Sequence, residues 1–418
     1  MKILRRAAVY LRPYWLLTLG AFVSLVLVSV ANLLSPQVLR IVIDRGITGK
    51  DTGALAWATL ALIGIAAVRG LFSFTQGFWS EKASQAVAYD FRNVLFAKLQ
   101  QLSFSYHDQA QTGQLMTRIT NDVEQVRTFL GMGLLQMVSV ITLLAGSLVA
   151  LFSMNWRLAL IVLLTLPAMG VVLTQFMRVI RPMFSQVQAK LGALNTVLQE
   201  NLAGVRVVQA FAREPYEAAR YQALNEDLLE ANVRTIRAMS SNFPLIFLIA
   251  NLGTLAVIWI GGYQVIGGAL SLGELVAFNT YLGLLIMPIM MLGMIAGQLS
   301  RAAVGAERIF EVLDAPNEVR DRPGARPLPA VAGRVVFEDV SFRYAGGERQ
   351  VLDHVSFTVE PGQTVAIMGQ AGSGKSSIIN LIPRFYDVTD GRVTVDGHDV
   401  RDVTLESLRG QIGLVLQD

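Results

Sequence analysis

The chain has 418 residues, enough for two or more domains, of which 53% are hydrophobic and only 16% charged. Soluble domains carry about 25% charged residues, so the deficit points to a lipid bilayer. There is no cysteine, which excludes disulfides and thiolate metal sites.

Charge is unevenly placed. Residues 1–300 hold 22 Lys and Arg against 14 Asp and Glu, a net +8, whereas residues 301–418 hold 13 against 17, a net −4. The basic excess belongs to the apolar part and reads as membrane topology. No basic stripe interleaved with aromatics occurs, so nucleic acid is not an expected partner.

In chain order, MKILRR (1–6) is followed by an apolar run over 15–36. That run exceeds the roughly 7–15 residues of a signal-peptide core, and a retained first helix is expected. A hydrocarbon layer about 30 Å thick takes about 20 apolar residues of helix. Six segments qualify: 15–36, 54–79, 129–153, 158–177, 244–267 and 275–299. None alternates with period two, so helices are predicted.

The loops after the second and fourth spans are long, 80–128 and 178–243. With the N-terminus they carry 17 Lys and Arg, whereas the short loops carry four: Arg40, Arg45, Lys50 and Arg157. This asymmetry places the N-terminus and both long loops in the cytoplasm, as expected of a multi-pass protein of the cytoplasmic membrane. Apolar residues at helical spacing over 80–102 and 187–239 predict that the spans continue beyond the bilayer as paired hairpins. A separate soluble domain in either loop would be near the lower size for a self-supporting core. The stretch 315–333 holds four prolines and reads as a linker.

The spans contain few polar residues: Asn32, Arg69, Gln76, Gln136, Asn251 and Asn279. Arg69 is costly toward lipid and is expected to face the bundle or an aqueous cavity, in a pathway role or a pairing role. Met287, Met290, Met291 and Met294 suit either an adaptable binding surface or ordinary helix packing.

Beyond the linker, 334–344 and 351–359 alternate as strands, and QTVAIM (363–368) reads as a buried strand. GQAGSGKS (369–376) fits the phosphate-binding pattern G-x-x-x-x-G-K-[ST], and 376–381 opens a helix. Gly369, Gly372, Ser373 and Gly374 let backbone N–H groups turn toward a β-phosphate, with Ser377 in the first helical turn adding to the cradle. Lys375 is placed to reach β- and γ-oxygens and the Ser376 hydroxyl to ligate Mg²⁺. A strand over 391–396, a short helix near 405–408 and a strand over 412–417 follow. A GTPase-type switch is disfavoured: N-K-x-D is absent, and DRPG (321–324), the only D-x-x-G, precedes the loop.

Together these segments resemble bacterial ATP-binding cassette exporters of the multidrug and lipid type, half-transporters with six membrane helices fused to one cassette. The resemblance covers the whole chain. It implies a helical exporter domain over 1–314, a linker over 315–333 and the first part of an α/β P-loop cassette over 334–418. It implies that Tyr344 in VSFRY (340–344) stacks on adenine, and that Gln417 in LVLQD (414–418) contacts Mg²⁺ and the attacking water. SYHD (105–108) with TGQLMTR (112–118), and ENLAGVRVVQAF (200–211) with Arg213 and Glu214, are similar to the family's two coupling segments. His107 and Gln114 stand where the family often has an aromatic residue and a glutamate.

The function implied is ATP- and Mg²⁺-dependent export of a small amphipathic or hydrophobic substrate, by a homodimer or heterodimer of half-transporters in the bilayer. The family's L-S-G-G-Q segment, catalytic glutamate and switch histidine would lie beyond Asp418. The 418-residue chain is therefore expected to bind nucleotide without hydrolysing it. The alternative is a non-hydrolysing regulatory or degenerate nucleotide-binding membrane subunit.

The charge asymmetry generates a topology test. Cysteines introduced as Ser84→Cys and Gln222→Cys should resist impermeant thiol reagents in intact cells, while Thr48→Cys should react. Labelling of the Ser84 variant from outside would invert the orientation.

Overall fold

The computed structural model describes residues 2–347 and 349–415, with Phe243 described by its backbone alone. Its helices are α1 (Lys2–Ala8), α2 (Trp15–Ile41), α3 (Thr52–Gln101), α4 (Phe104–Gln109), α5 (Thr112–Thr117), α6 (Val123–Thr128), α7 (Leu134–Met154), α8 (Trp156–Ala210), α9 (Glu214–Ile266) and α10 (Leu272–Asp314). Turns of wider or tighter winding link α1 to α2 and α5 to α7, and six helical runs are long and apolar enough to cross a membrane. The helices continue past the apolar segments as expected: α3 has 50 residues, α8 has 55 and α9 has 53.

The chain divides into two compact units. One comprises Leu11–Ser84 and Thr128–Ser300. The starts of α3, α8 and α10 are capped by short polar side chains, which accept from N–H groups that have no partner within the helix. Asp51 accepts from Gly53 and Ala54 ahead of α3, and Asn155 from Arg157 and Leu158 ahead of α8. At α10, Ser271 and Glu274 form a reciprocal capping box. Asp44 reinforces it, accepting from Ser271 Oγ at 2.6 Å and Gly273 N at 2.8 Å, while Arg40 pairs with Glu274 at 2.8 Å. Between these caps, Leu151, Leu158, Val162, Val257, Phe278 and Tyr281 are buried in one cluster. The α8–α9 hairpin is held by Lys190–Asp227 and Arg220–Glu200 ion pairs and by an Asn201–Glu217 hydrogen bond.

The other unit comprises Met1–Tyr10, Gln85–Arg127 and Arg301–Asp418. Tyr10 stacks on Phe91 with ring centroids 4.2 Å apart, Phe310 meets Phe91 edge-on, and the Arg6 guanidinium lies over Phe310 while bonding Asp314. The cassette portion carries β1 (Val335–Phe342), β2 (Leu352–Val359), α11 (Lys375–Leu381), β3 (Asp390–Val395), β4 (His398–Asp399) and α12 (Leu405–Arg409). The pairings among these four strands are antiparallel, in the order β2-β1-β3-β4, with Phe337 opposite Phe357 on one side and Val393 on the other. Phe337, Val340, Phe342, Leu352, Leu381 and Val393 form its buried core.

The proline-containing stretch is tied to the cassette by its backbone. Leu328 N donates to Ser407 Oγ, and the Asp396 carboxylate accepts from Ala332, Gly333 and Arg334 N–H. These donors, Arg334 foremost, hold the Asp396 carboxyl below its ordinary range.

One local expectation is corrected. Residues 363–368 belong to no strand among the described residues, and Val365 and Met368 are 52% and 91% exposed. A strand needs a neighbour for its hydrogen bonds, and an apolar run cannot supply one by itself. Residues 412–415 likewise join no ladder, and 416–418 lie outside the described residues.

Arg384 is the largest fully buried side chain. Its guanidinium is satisfied by a two-pronged pair with Asp387, at 2.7 and 3.1 Å. Asp387→Ala would leave that charge buried without its partner, at a cost of about 3 kcal/mol to cassette stability. Chemical denaturation followed on the cassette should show the loss, and Asp387→Glu should recover part of it.

Candidate functional site

The phosphate loop lies between the buried sheet and α11. Gly372 and Gly374 have φ of +80° and +88°, a region that L side chains rarely adopt. A Cβ at Gly374 would also come within 2.9 Å of Leu352 and 3.1 Å of the Val351 carbonyl, so the loop rests on the start of β2. Leu381 anchors the far end of α11 in the core. The Lys375 ammonium folds back over the loop, donating to the carbonyls of Gly369 at 3.0 Å and Gln370 at 2.7 Å. This leaves the cation at the loop mouth, where an anion could draw it off those carbonyls. Gly369 and Ser373 line the exposed loop beside it, and Ser376 is exposed with no side-chain partner among the described residues.

Tyr344 follows the end of β1 and reaches α11. Its hydroxyl lies 2.9 Å from the Oγ of Ser377, which is buried. The ring is held edge-on by Phe342, centroids 4.8 Å apart, and by Tyr386 at 5.1 Å. The structure thus brings Tyr344, the phosphate loop, Ser376 and Ser377 together, and Gln417 lies outside the described residues.

The loop carrying α4 and α5 completes this surroundings. Tyr386 donates to Asp108 Oδ2 at 2.6 Å, Phe104 lies against Phe385 with centroids 4.4 Å apart, and Gln109 donates to the Ala345 carbonyl. Burial, then the bond and charge of Asp108, push the Tyr386 phenol well above its ordinary range. Asp108, Tyr344, Tyr386 and Asn380 line a cavity of about 410 Å³. His107 instead bonds the Leu99 carbonyl of its own loop.

In the membrane-spanning unit a second cavity, of about 540 Å³, is lined by Ser73, Gln76, Ser80, Gln136, Met287 and Met291, among others. None of its lining residues is ionisable. Gln136 reaches Met291 Sδ at 3.5 Å, and Ser80 Oγ is buried with no partner among the described residues. Arg69 bonds Asn32 at 3.3 Å, and Met294 is exposed.

Residues 18–289 match the family model of the ABC transporter transmembrane region, and residues 352–418 match the ABC transporter model. The chain belongs to the ABC transporter family. It is 32% identical over its whole length to an uncharacterized ABC transporter ATP-binding protein, YknU of Bacillus subtilis (strain 168), and covers 72% of that protein. It is 33% identical over 96% of its length to an ATP-dependent lipid A-core flippase of Syntrophus aciditrophicus (strain SB), covering 65% of it. A flippase of the same description from Thiobacillus denitrificans is 33% identical over 98% of the chain, with 70% of that protein covered.

The membership supports the sequence-based fold: an apolar six-helix domain followed by a cassette. What single-sequence reasoning missed is the company of Tyr344. Tyr386 and Asn380 carry no motif of their own, and Tyr386 meets Asp108 across 278 residues of chain. Only the packing of the first long loop reveals that they share a cavity.

Proposed function

We propose that the chain is one half of a dimeric, ATP-driven exporter of an amphipathic or hydrophobic substrate in the cytoplasmic membrane. The observation that carries this reading is the seating of the α4–α5 loop on the cassette, beside the phosphate loop, through Asp108–Tyr386 and Phe104–Phe385. A site that binds nucleotide is thereby in direct contact with residues continuous with a membrane helix. The apolar, amide-lined cavity of the other unit supplies a place for an uncharged or weakly polar body among Met287 and Met291, side chains that repack easily.

The residues present fit a nucleoside triphosphate with Mg²⁺. The glycine loop offers backbone N–H groups, Lys375 would move from the Gly369 and Gln370 carbonyls to phosphate oxygens, and the Ser376 hydroxyl would ligate the metal. Tyr344 would support the base, and Gln417 would extend the set toward the metal and water. When bound, Mg-ATP supplies the preference for closed, paired cassettes. In this reading the chain alternates between inward- and outward-facing states as that preference is gained and lost. The domain limits proposed are 1–314, 315–333 and 334–418, with the N-terminus and cassette cytoplasmic.

Lys375→Ala should abolish the thermal stabilisation given by Mg-ATP. It should also abolish any nucleotide-dependent change in the thiol labelling of a Gln76→Cys variant. Stabilisation that survives the substitution would remove the nucleotide-site reading.

Tyr344→Ala should weaken ATP binding by about 1–2 kcal/mol, the order of one aromatic ring stacked on a base, while Tyr344→Trp should be tolerated. Equal losses for ATP and inorganic triphosphate would show that the ring does not meet the base.

A further inference from the structure

The cavity beside Tyr344 has a polarity that phosphate binding does not explain. Its charged lining residue is Asp108, and no lysine or arginine lines it, so a phosphate would meet a carboxylate there. The phosphate end of a nucleotide belongs at Lys375, whereas this cavity is lined by Tyr344, Asn380 and Tyr386 and by no residue of the loop 369–376. It therefore suits the end of the ligand remote from the phosphates.

Its polar groups are held but not spent. Tyr386 fixes Asp108 through Oδ2, and among the described residues Oδ1 has no hydrogen-bond partner. Asn380 stands one turn of α11 beyond Ser376, and its side-chain amide likewise has no partner among the described residues. Tyr386 is itself held by the edge-on ring of Tyr344 and by Phe342, so the Asp108 carboxylate is presented by an aromatic cluster and not by a loose loop. A carboxylate oxygen accepts and cannot donate, whereas an amide both donates and accepts. An exocyclic amine next to a ring nitrogen acceptor satisfies both, which is the amino edge of adenine. A carbonyl in the place of that amine, as in hypoxanthine, would face the carboxylate oxygen with oxygen.

We propose that Asp108 and Asn380 read the amino edge of the nucleobase, so that the loop joining two membrane helices selects adenine nucleotides directly. This rests on the nucleotide reading given above and assigns Asp108 a part in base discrimination. Tyr386 donates to Asp108 Oδ2 here, and Asp108→Asn keeps an acceptor oxygen for that bond while replacing the other oxygen by an NH₂ group. In Asp108→Asn the oxygen stays with Tyr386 and the NH₂ group turns to the base, so the preference should reverse toward a carbonyl edge.

The test titrates Mg-ATP and Mg-ITP into the purified chain in lipid nanodiscs, following thermal stabilisation. The parent chain should prefer ATP by about tenfold, the size of one good base-edge contact. Asp108→Ala should bring the two nucleotides within about twofold, and Asp108→Asn should favour ITP. Asn380→Ala should narrow the preference without changing its sign. A loss of affinity equal for ATP and ITP in both Asp108 variants would reduce Asp108 to a structural contact and overturn the proposal. So would a parent chain that binds the two nucleotides alike. Lys375→Ala serves as the separate arm: if it leaves both affinities intact, the phosphate-loop reading itself fails, whatever Asp108 does.

Discussion

Backbone groups that enter hydrocarbon must find their hydrogen-bond partners within the chain, and a helix is the one local structure that provides them. That constraint shapes this molecule more than any particular contact. It commits the apolar segments to helices, and it makes their ends the places where polar chemistry collects. The Asp44–Ser271–Glu274 cap, the Asn155 cap and the Asp51 cap all serve groups that the helices themselves leave open. It also tolerates what a soluble helix would resist, since Pro36, Pro167, Pro244 and Pro288 all lie inside helices.

The cassette follows a different logic. Its core is a small antiparallel sheet, and its surface toward the α4–α5 loop is aromatic. Arg384, itself buried, supports that surface. Buried and paired with Asp387, with φ of +54°, it sets the turn from which Phe385 and Tyr386 project. Tyr386 then meets three partners of different origin: Phe342 from the sheet, Tyr344 from the edge of the phosphate-loop region, and Asp108 from the loop. An arginine that resembles a structural detail thus supports the turn that carries the aromatic contact to the α4–α5 loop.

Much of this was legible in the sequence, and the division follows the range of the interactions. The membrane helices announce themselves through runs of about 20 apolar residues, a property of local composition. The phosphate loop was legible because the glycine spacing and Lys375 reflect one short turn. The strands β1, β2 and β3 came within a residue or two of their expected limits, since each alternates and has a neighbour. Residues 363–368 are as apolar as any strand, yet pairing is not a property of the segment, and here they pair with nothing described. Arg384 could not be foreseen inside a core, because charged side chains are ordinarily exposed and its partner is a turn away. The cavity around Asp108 was hidden for the same reason: its walls come from two distant parts of the chain.

The uninterrupted length of α3 has a mechanical meaning. At about 1.5 Å per residue its 50 residues rise about 75 Å, of which residues 80–101, past the apolar span, make up about 33 Å. It contains no proline, whereas α8, α9 and α10 each do, and proline is where a long helix bends. A stiff rod of that reach converts a tilt of about 10° at one end into about 6 Å of travel at the other. Small angular changes where α3 emerges from lipid therefore become displacements the size of an amino-acid side chain at Gln101, next to the α4–α5 loop. The proline-bearing helices have a built-in place to bend; α3 has none of that kind.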